Sequence, residues 1–452
     1  MANIIVGCAK YMMIILIVIY AFQCFTVFTY EDSKAKRRVF RNQNTVMFMV
    51  HFMAFSGMYF KTGENKILIF YLVQVVMLAA ILWLYLKFYP KVSRLVVNNM
   101  CMLLTIGFIM ITRLSYNKAV KQCFIVAVAV LLSLIVPAIM RRARSLADLR
   151  LLYAVIGIVA LGAVVVVGQV SGGAKLGFEI AGFGIQPSEF LKIVFVFFVA
   201  ASLSKSVKFR NLAFTTLVAA FHVLILVVSK DLGAALIIFV VYLVMLYVAT
   251  RNPLYTFAGV FAGSGAAVVA YHLFSHVKVR VEVWKDPFAV YKNGGYQVAQ
   301  SLFAIGTGSW FGTGLLQGRA DAIPVSDEDF IFAAISEEMG LIFALCLILI
   351  CLSCYIMFLN IAMQLKNRFY KLVALGLGTS YIFQTFLTIG GVTKFIPLTG
   401  VTLPLVSYGG SSVLSTLIMF AIIQGLYILK EDEEENLEKK RKRQEIKQPR
   451  IR

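Results

Sequence analysis

An aspartate lies in a hydrophilic stretch of this apolar chain, where it could serve acid–base chemistry. Residues 281–297 read VEVWKDPFAVYKNGGYQ and place Asp286 directly before a proline. A carboxylate can act as a general base if a substrate proton comes within hydrogen-bond distance of it. Asp before Pro is also a common start of a turn. The local sequence therefore leaves two interpretations of Asp286 open, a catalytic base and a turn residue.

Glu189 and Lys192 lie three residues apart in the motif GIQPSEFLK, residues 184–192. Gln186 and Pro187 precede them, and a proline followed closely by a glutamate is typical of the first turn of a helix. On that helix the two charged side chains share a face and can pair. Two interpretations stay open: a structural ion pair at a helix start, or a pair that lines a cavity and orients a substrate.

A second polar segment, KFIPLTGVTLPLVSYGGSS, spans residues 394–412. Its prolines and glycines interrupt the helical pattern and predict an irregular entry into a membrane helix. Irregular backbone at membrane depth must line a cavity or be buried in protein. The hydroxyls of Ser407 and Ser411 could donate hydrogen bonds to an anion. No histidine accompanies these serines, so a serine hydrolase is disfavoured.

Motifs for nucleotide or zinc chemistry do not occur in this chain. The sequence contains no GxGxxG, GxxxxGK[ST] or HExxH, and its four histidines are scattered. Phosphate-binding loops and zinc proteases depend on those spacings. The sequence therefore provides no motif support for a nucleotide-driven or zinc-driven reaction.

The composition indicates which elements must position these residues. Of 452 residues, 60% are hydrophobic and 14% are charged, whereas about 25% are charged in a typical soluble domain. Apolar runs long enough to cross a membrane recur along the chain. The runs are continuous and do not alternate with polar residues, which indicates helices. The predicted fold class is an all-α polytopic membrane protein.

About thirteen transmembrane helices are predicted, with a large loop at 274–330 between two of them. Long loops in compact folds tend to be functional, so the chemistry is expected in this loop and at the helix ends beside it. The predicted spans lie near 11–30, 44–60, 66–88, 98–112, 120–139, 150–168, 187–204, 212–229, 231–250, 254–273, 331–358, 370–392 and 404–428.

The net charge of +21 is interpreted as a topology signal. All basic clusters fall between spans or after the last one, on a single side, and the positive-inside rule makes that side cytoplasmic. Loop 274–330 is then extracytoplasmic, together with residues 169–186 and 393–403. This placement of the charge argues against a nucleic-acid partner. The basic clusters are 33–41, 141–150, 204–210, 364–371 and 439–443.

Five motifs in a fixed order resemble one protein family. They read QPSEFLK, KDLGAAL, WKDPF…GGYQVAQSLFAIGTG, DFIFAAISEEMG and PLTGVTLPLVSYGGSS, and together they closely resemble the SEDS family (FtsW, RodA and SpoVE). The resemblance covers residues 98–430 and implies a ten-helix core. Residues 1–97 add three further spans, and residues 431–452 form a charged cytoplasmic tail. The chain departs from the family where it reads DEDFIFA in place of HTDFIFA.

The resemblance implies a peptidoglycan glycosyltransferase that polymerises lipid II at the bacterial cytoplasmic membrane. A sugar hydroxyl would attack the anomeric carbon of a glycan chain held on undecaprenyl diphosphate. The family's essential aspartate corresponds to Asp286, which would accept the hydroxyl proton on the extracytoplasmic face. Charge develops on the departing diphosphate, which needs cations or oriented donors. The candidates, in descending order, are Lys192, Arg280, Lys394 and the serine-glycine turn.

The resemblance also implies protein partners, namely a class B penicillin-binding protein and divisome or elongasome proteins. It implies no certain cofactor, and it leaves open a divalent cation and the choice among elongation, division and sporulation. The chief alternative is a lipid II flippase or another polyisoprenoid-lipid transporter, because charged residues in a helical bundle also suit a translocation pathway. A non-catalytic scaffold for division or elongation proteins is the third interpretation.

Overall fold

The protein is a bundle of long helices. The computed structural model describes residues 2–142, 144–171, 174–180 and 183–447. The helices are α1 (Ala2–Thr26), α2 (Ser33–Thr62), α3 (Asn65–Phe88), α4 (Arg94–Leu114), α5 (Tyr116–Ser133), α6 (Val136–Arg142), α7 (Arg150–Val167), α8 (Pro187–Lys205), α9 (Phe209–Val228), α10 (Leu232–Thr250), α11 (Pro253–Leu273), α12 (Ser275–Lys285), α13 (Tyr296–Gly308), α14 (Ile331–Met339), α15 (Leu341–Gln364), α16 (Arg368–Val392) and α17 (Gly410–Lys447).

The all-α polytopic class is confirmed, whereas the number of thirteen spans is not. In the described part of the chain, eleven helices are long and apolar enough to cross a membrane. The predicted span 44–60 lies in α2, whose first turns carry a basic cluster, and α2 is outside this set. The predicted span 150–168 coincides with α7, which is apolar but shorter.

The predicted span 331–358 is wrong as one uninterrupted helix. Helix α14 ends before Gly340 and α15 begins after it, because Gly340 has a φ of 90°, in a region that glycine adopts without the steric penalty of a Cβ. A Cβ on Gly340 would lie 2.3 Å from the backbone nitrogen of Gly312. The break therefore lets the chain that follows α13 pack directly against the junction of α14 and α15.

The long predicted loops contain regular structure. Loop 274–330 includes helices α12 and α13. Loop 169–186 includes a small antiparallel sheet in the order β1-β2-β3, with Glu179 opposite Gly184. This sheet adds a short β element to the predicted all-α class. Its strands are β1 (Gln169–Ser171), β2 (Ala174–Ile180) and β3 (Phe183–Ile185).

The predicted hydrophilic loops meet at one end of the bundle. This end, called the loop face, comprises residues 169–171, 174–180, 183–186, 229–231, 274–340 and 393–409. The hydroxyl of Ser411 donates to the carbonyl of Gly184 at 3.0 Å, and the backbone N–H of Tyr408 donates to the carbonyl of Asp327 at 2.8 Å. The loops are thus joined to one another as well as to their own helices.

The opposite end of the bundle, called the basic face, carries the basic turns. Lys91 pairs with Asp432 at 2.7 Å, and Arg141 pairs with the same carboxylate at 2.9 Å. Lys205 pairs with Asp148 at 2.9 Å. In the predicted charged tail, the residues up to Lys447 continue α17 as a helix. The ion pairs therefore fix the start of the tail to the turns of this face.

Helix α4 lies at the centre of the bundle, since all of its residues from Leu95 to Thr112 are buried. The helices before it dock through polar contacts. Tyr20 donates to the Asn99 side-chain oxygen at 3.1 Å, and the Asn99 amide donates to Ser353 of α15 at 3.2 Å. The Asn98 amide donates to the Gln43 oxygen at 3.0 Å. Because buried polar groups are costly when unpaired, these contacts specify how α1 and α2 pack on α4 and α15.

Candidate active site

The irregular segment 393–409, between α16 and α17, is the wall against which most predicted site residues lie. As predicted, its backbone is not helical before Gly410, and φ is positive at Lys394, Gly400 and Leu405. Its carbonyls accept hydrogen bonds from side chains of α12 and α16. Backbone that forms no regular structure needs such partners, so polar side chains gather around this segment.

Glu189 and Lys192 form the predicted pair within α8. Their side-chain atoms lie 2.8 Å apart, and the residues are only 7% and 3% exposed. Lys192 also donates to the side-chain oxygen of Gln384 on α16, whose amide donates to the Thr402 carbonyl at 2.9 Å. Ser415 of α17 donates to Glu189 at 3.1 Å. The pair thus ties three helices to the irregular segment.

Gln186 and Ser411 connect the start of α8 to the neighbouring elements. The backbone N–H of Gln186 donates to the Ser411 hydroxyl at 2.9 Å. Ser188 donates to Asp231 at 2.7 Å, and the Gln186 amide donates to the same carboxylate oxygen at 3.3 Å. The other oxygen of Asp231 caps α10 by accepting from Ala234 N. Asp231 is therefore both a helix cap and the centre of a polar network.

Arg280 reaches from α12 to the irregular segment. Its guanidinium donates to the carbonyls of Leu398 and Thr399 at 3.1 and 2.9 Å. Burial lowers the pKa of this guanidinium, and the carboxylates of Asp231 and Asp329 oppose that effect. The residue therefore holds a loop and carries positive charge between two acidic side chains.

Asp329 faces Arg280 across Gly400, since a Cβ on that glycine would lie about 4 Å from the charged atoms of both side chains. The pKa of Asp329 is raised from 3.8 to about 7, mainly by burial and in addition by the carboxylates of Glu328 and Asp327, while its own backbone N–H and Arg280 act to lower it. Asp329 therefore changes its charge near neutral pH, next to the cation that contacts the irregular segment.

We expect Asp329 to make the protein less stable as the pH rises. In the unfolded chain its pKa is about 3.9, so between about pH 4 and 7 the folded state binds more protons and loses stability with increasing pH. Asp329→Asn cannot ionise and should lack this loss. Thermal unfolding of both proteins at pH 4 to 8 measures it, with the exposed Glu31→Gln as a control that keeps the wild-type profile. Equal differences between wild type and Asp329→Asn at every pH would contradict the expectation.

Asp286 follows the last residue of α12, on the exposed surface of the loop face. One carboxylate oxygen accepts the backbone N–H groups of Phe288 and Ala289 at 3.0 and 3.1 Å. This is the turn that an aspartate before a proline predicts. Among the described residues, no contact occupies its second oxygen. The turn therefore orients a carboxylate that can still accept a proton from a substrate.

Ser407 and Lys394, both predicted to contact an anion, differ in whether their side chains are free to do so. Ser407 is buried, donates to the carbonyl of Glu328 and accepts from Leu403 N at 2.8 Å. Its hydroxyl therefore already makes hydrogen bonds within the protein. Lys394 is half-buried at the start of the irregular segment, and no carboxylate of the described residues pairs with it. Lys192 and Arg280, the other two predicted cations, make hydrogen bonds within the protein. Lys394 is therefore the predicted cation whose side chain is least engaged with the rest of the described residues.

A further buried cluster holds the chain between α13 and α14. Arg113 of α4 donates to Glu338 at 2.8 Å and to Asp321 at 3.1 Å. Glu338 is fully buried and accepts from Leu316 N at 3.2 Å. The carboxylate of Glu337 accepts from Arg319 N at 2.7 Å. The cluster thereby fixes the loop that follows α13 to the centre of the bundle.

The structure brings together Gln186, Glu189, Lys192, Arg280 and Ser411 around the irregular segment. Asp286 directly follows α12, which carries Arg280, and lies about 9 Å farther along the helix axis at 1.5 Å per residue. The sequence analysis did not include Gln384, Asp329 or Arg113 among the site residues. The polar Gln384 within an apolar span was a usable signal. Arg113 and Asp329 gave none, because their partners are distant in the chain.

In the part of the chain that the structure describes, no three His, Cys, Asp or Glu side chains are grouped so that they could hold a metal ion. We therefore assign no residue to a cation.

Comparison with known proteins agrees with the five motifs. A sequence model of the FtsW, RodA and SpoVE family, described as "Cell cycle protein", matches residues 93–431. The peptidoglycan glycosyltransferase RodA of Mycobacterium leprae is 34% identical over 363 residues, which cover 75% of this chain and 78% of the relative. Stage V sporulation protein E of Bacillus subtilis is 34% identical over 267 residues, or 57% of this chain and 71% of the relative.

Solved structures share the fold. A chain from a study of how a peptidoglycan synthase complex coordinates polymerization and crosslinking superposes with a TM-score of 0.64 at 22% identity, covering 75% of this chain and 98% of that chain. Thermus thermophilus RodA gives a TM-score of 0.57 at 21% identity and covers 75% of this chain and 97% of that chain. With the family model matched over residues 93–431, this protein belongs to the SEDS family of FtsW, RodA and SpoVE.

Proposed function

We propose that this protein polymerises peptidoglycan glycan strands from lipid II. The observation that carries the proposal is Asp286, whose one oxygen is fixed by two backbone N–H groups while the other is available at the loop face. The names of its relatives support it, since RodA of Mycobacterium leprae is a peptidoglycan glycosyltransferase. The motif WKDPF places this aspartate where the family's essential carboxylate is expected.

In the proposed reaction, Asp286 accepts the proton of a sugar hydroxyl on lipid II. The hydroxyl oxygen attacks the anomeric carbon of the glycan chain on its undecaprenyl diphosphate, and the bond to the diphosphate breaks with its electron pair. The diphosphate then carries additional negative charge, which fixed cations stabilise. Lys394 suits this role because its side chain is not engaged with a carboxylate, whereas Lys192 and Arg280 already have partners within the protein.

We place the loop face outside the cytoplasm. The support is the opposite face, where the basic turns cluster, since positive loops stay on the cytoplasmic side. Lipid II would then meet Asp286 at the outer end of α12, with its lipid chain along the apolar helices. The side chains of Glu189, Lys192 and Gln186 contact other residues of the protein, and Lys192 reaches the irregular segment through Gln384. In this proposal they support the shape of that segment and do not themselves contact the substrate.

A class B penicillin-binding protein is the proposed partner. The support is the structural neighbour, which comes from a peptidoglycan synthase complex that coordinates polymerization with crosslinking. A transpeptidase next to the polymerase would crosslink strands as they form. A co-purification of the full chain with such a transpeptidase from the same cell would test this proposal.

Purified protein in liposomes containing lipid II provides the test of the polymerase. Long glycan strands should form without any added nucleotide, and an acceptor analogue that lacks the attacking sugar hydroxyl should not extend. A fluorescent lipid II in the same liposomes reports movement between leaflets. Movement without strands would instead identify a transporter and would refute the proposed reaction.

A further inference from the structure

A cavity of about 350 Å³ opens at the basic face, far from the loops that carry Asp286. It lies where the first turns of α2, the last turns of α3 and the first turn of α4 meet. Three arginines, Arg37, Arg41 and Arg94, line it together with Asn44 and Asn98. No carboxylate of the described residues is part of its lining. The cavity therefore concentrates positive charge without an internal counter-ion.

The helices bring these residues together at one end of the bundle. Arg37 and Arg41 are four residues apart on α2 and so share one face, while Arg94 is the first residue of α4. Asn98 is buried and donates to the Phe40 carbonyl at 3.1 Å. That contact fixes the α2 wall of the cavity to the α4 wall.

Two other arginines of the bundle are paired with carboxylates. Arg113 pairs with Glu338, and Arg141 pairs with Asp432. No carboxylate in the described part of the chain pairs with Arg37, Arg41 or Arg94. Arginine binds phosphate through planar, bidentate hydrogen bonds. An anion with phosphate oxygens would therefore supply the negative charge that these three arginines do not find within the protein.

A second observation narrows the ligand. Asn44 lines the cavity, and its side-chain oxygen is buried and has no hydrogen-bond partner among the described residues. A buried acceptor of this kind needs a donor, which water or the hydroxyl of a ligand can supply. Leu86 adds an apolar side to the cavity close to the end of α3, where the apolar span gives way to the basic face.

We propose that this cavity binds the glycerophosphate headgroup of an anionic phospholipid. The three arginines hold the phosphate, Asn44 accepts from a glycerol hydroxyl, and the acyl chains continue along the apolar surface. Basic pockets between helices on the cytoplasmic side recognise such headgroups. A lipid in this position contacts both α2 and α4, so it would also tie the N-terminal helices to the family core.

The test uses the full-length protein in neutral detergent, with lipid binding measured by native mass spectrometry and by thermal unfolding. Phosphatidylglycerol should bind and raise the unfolding temperature, whereas phosphatidylcholine should do neither. The variant Arg37→Gln/Arg41→Gln/Arg94→Gln should bind phosphatidylglycerol at least about tenfold more weakly than the wild type. The variant Lys34→Gln/Lys208→Gln/Arg210→Gln loses the same charge at exposed positions of the same face and should bind like wild type.

Inorganic phosphate and glycerol 3-phosphate distinguish a lipid from a soluble ligand. If they stabilise the wild type but not the arginine variant while phosphatidylglycerol does not bind, the site holds a soluble phosphate. Equal binding of phosphatidylglycerol by both triple variants, or no binding of any of these probes by the wild type, would overturn the proposal. The single change Arg41→Gln replaces the triple variant if the latter unfolds without lipid.

Discussion

Replacing Asp286 by asparagine should reduce strand polymerisation by about 10²–10⁴-fold, the usual contribution of a general base. The asparagine side-chain oxygen can still accept the N–H groups of Phe288 and Ala289 that fix the present turn. The change therefore removes the proton acceptor while it preserves the local backbone. Gel analysis of the glycan strands made from lipid II by the purified protein measures the rate.

The matched control is Glu282→Gln, which removes a carboxylate one turn earlier on α12. Glu282 is exposed like Asp286, so this variant reports the effect of losing one negative charge from the same helix. It should polymerise at the wild-type rate. If Asp286→Asn also made strands at that rate while it folded normally, Asp286 would be a turn residue and the proposed reaction would lose its base.

Lys192→Met should cost about 3–5 kcal/mol of unfolding free energy, because it leaves the buried carboxylate of Glu189 without its cation. The pair is almost completely buried, so water cannot replace the lost partner. Denaturant unfolding of the detergent-solubilised protein measures the loss. The double variant Glu189→Gln/Lys192→Met removes both charges and should recover most of the stability, since replacing a whole buried pair is often nearly neutral.

The double variant also distinguishes the two interpretations of this pair. If the pair only supports the fold, the recovered stability should bring back strand polymerisation. If it also orients the substrate or the irregular segment through Gln384, polymerisation should stay low in a protein that unfolds like wild type. A Lys192→Met protein as stable as wild type would show that the buried pair contributes little to stability.

The prediction of the fold from sequence was accurate where the signal is local. In the part of the chain that the structure describes, eleven apolar helices are confirmed as membrane-spanning candidates, because each helix satisfies its own backbone hydrogen bonds and its apolar length is directly visible. The break at Gly340 was missed since a glycine within an apolar run has no unique meaning. Its reason is the approach of Gly312, which is 28 residues away in the chain.

The candidate site divides in the same way. The contact between Glu189 and Lys192 was predictable because the two residues are three positions apart on one helix. The turn at Asp286 was predictable because its partners are the next residues of the chain. The contact of Lys192 with Gln384 was not predictable, since Gln384 lies on another helix, 192 residues later in the chain.

By itself, therefore, the sequence determined the helical class, the one-sided distribution of basic turns and the residues of the motifs, all of which depend on neighbours along the chain. Only the tertiary structure decided that Arg280 holds the irregular segment, that Asp329 faces Arg280 and that Arg113 fixes the loop before α14. These contacts join residues from separate helices and loops. Their formation depends on how all the helices pack, because burying a charged group is very costly unless it has a partner.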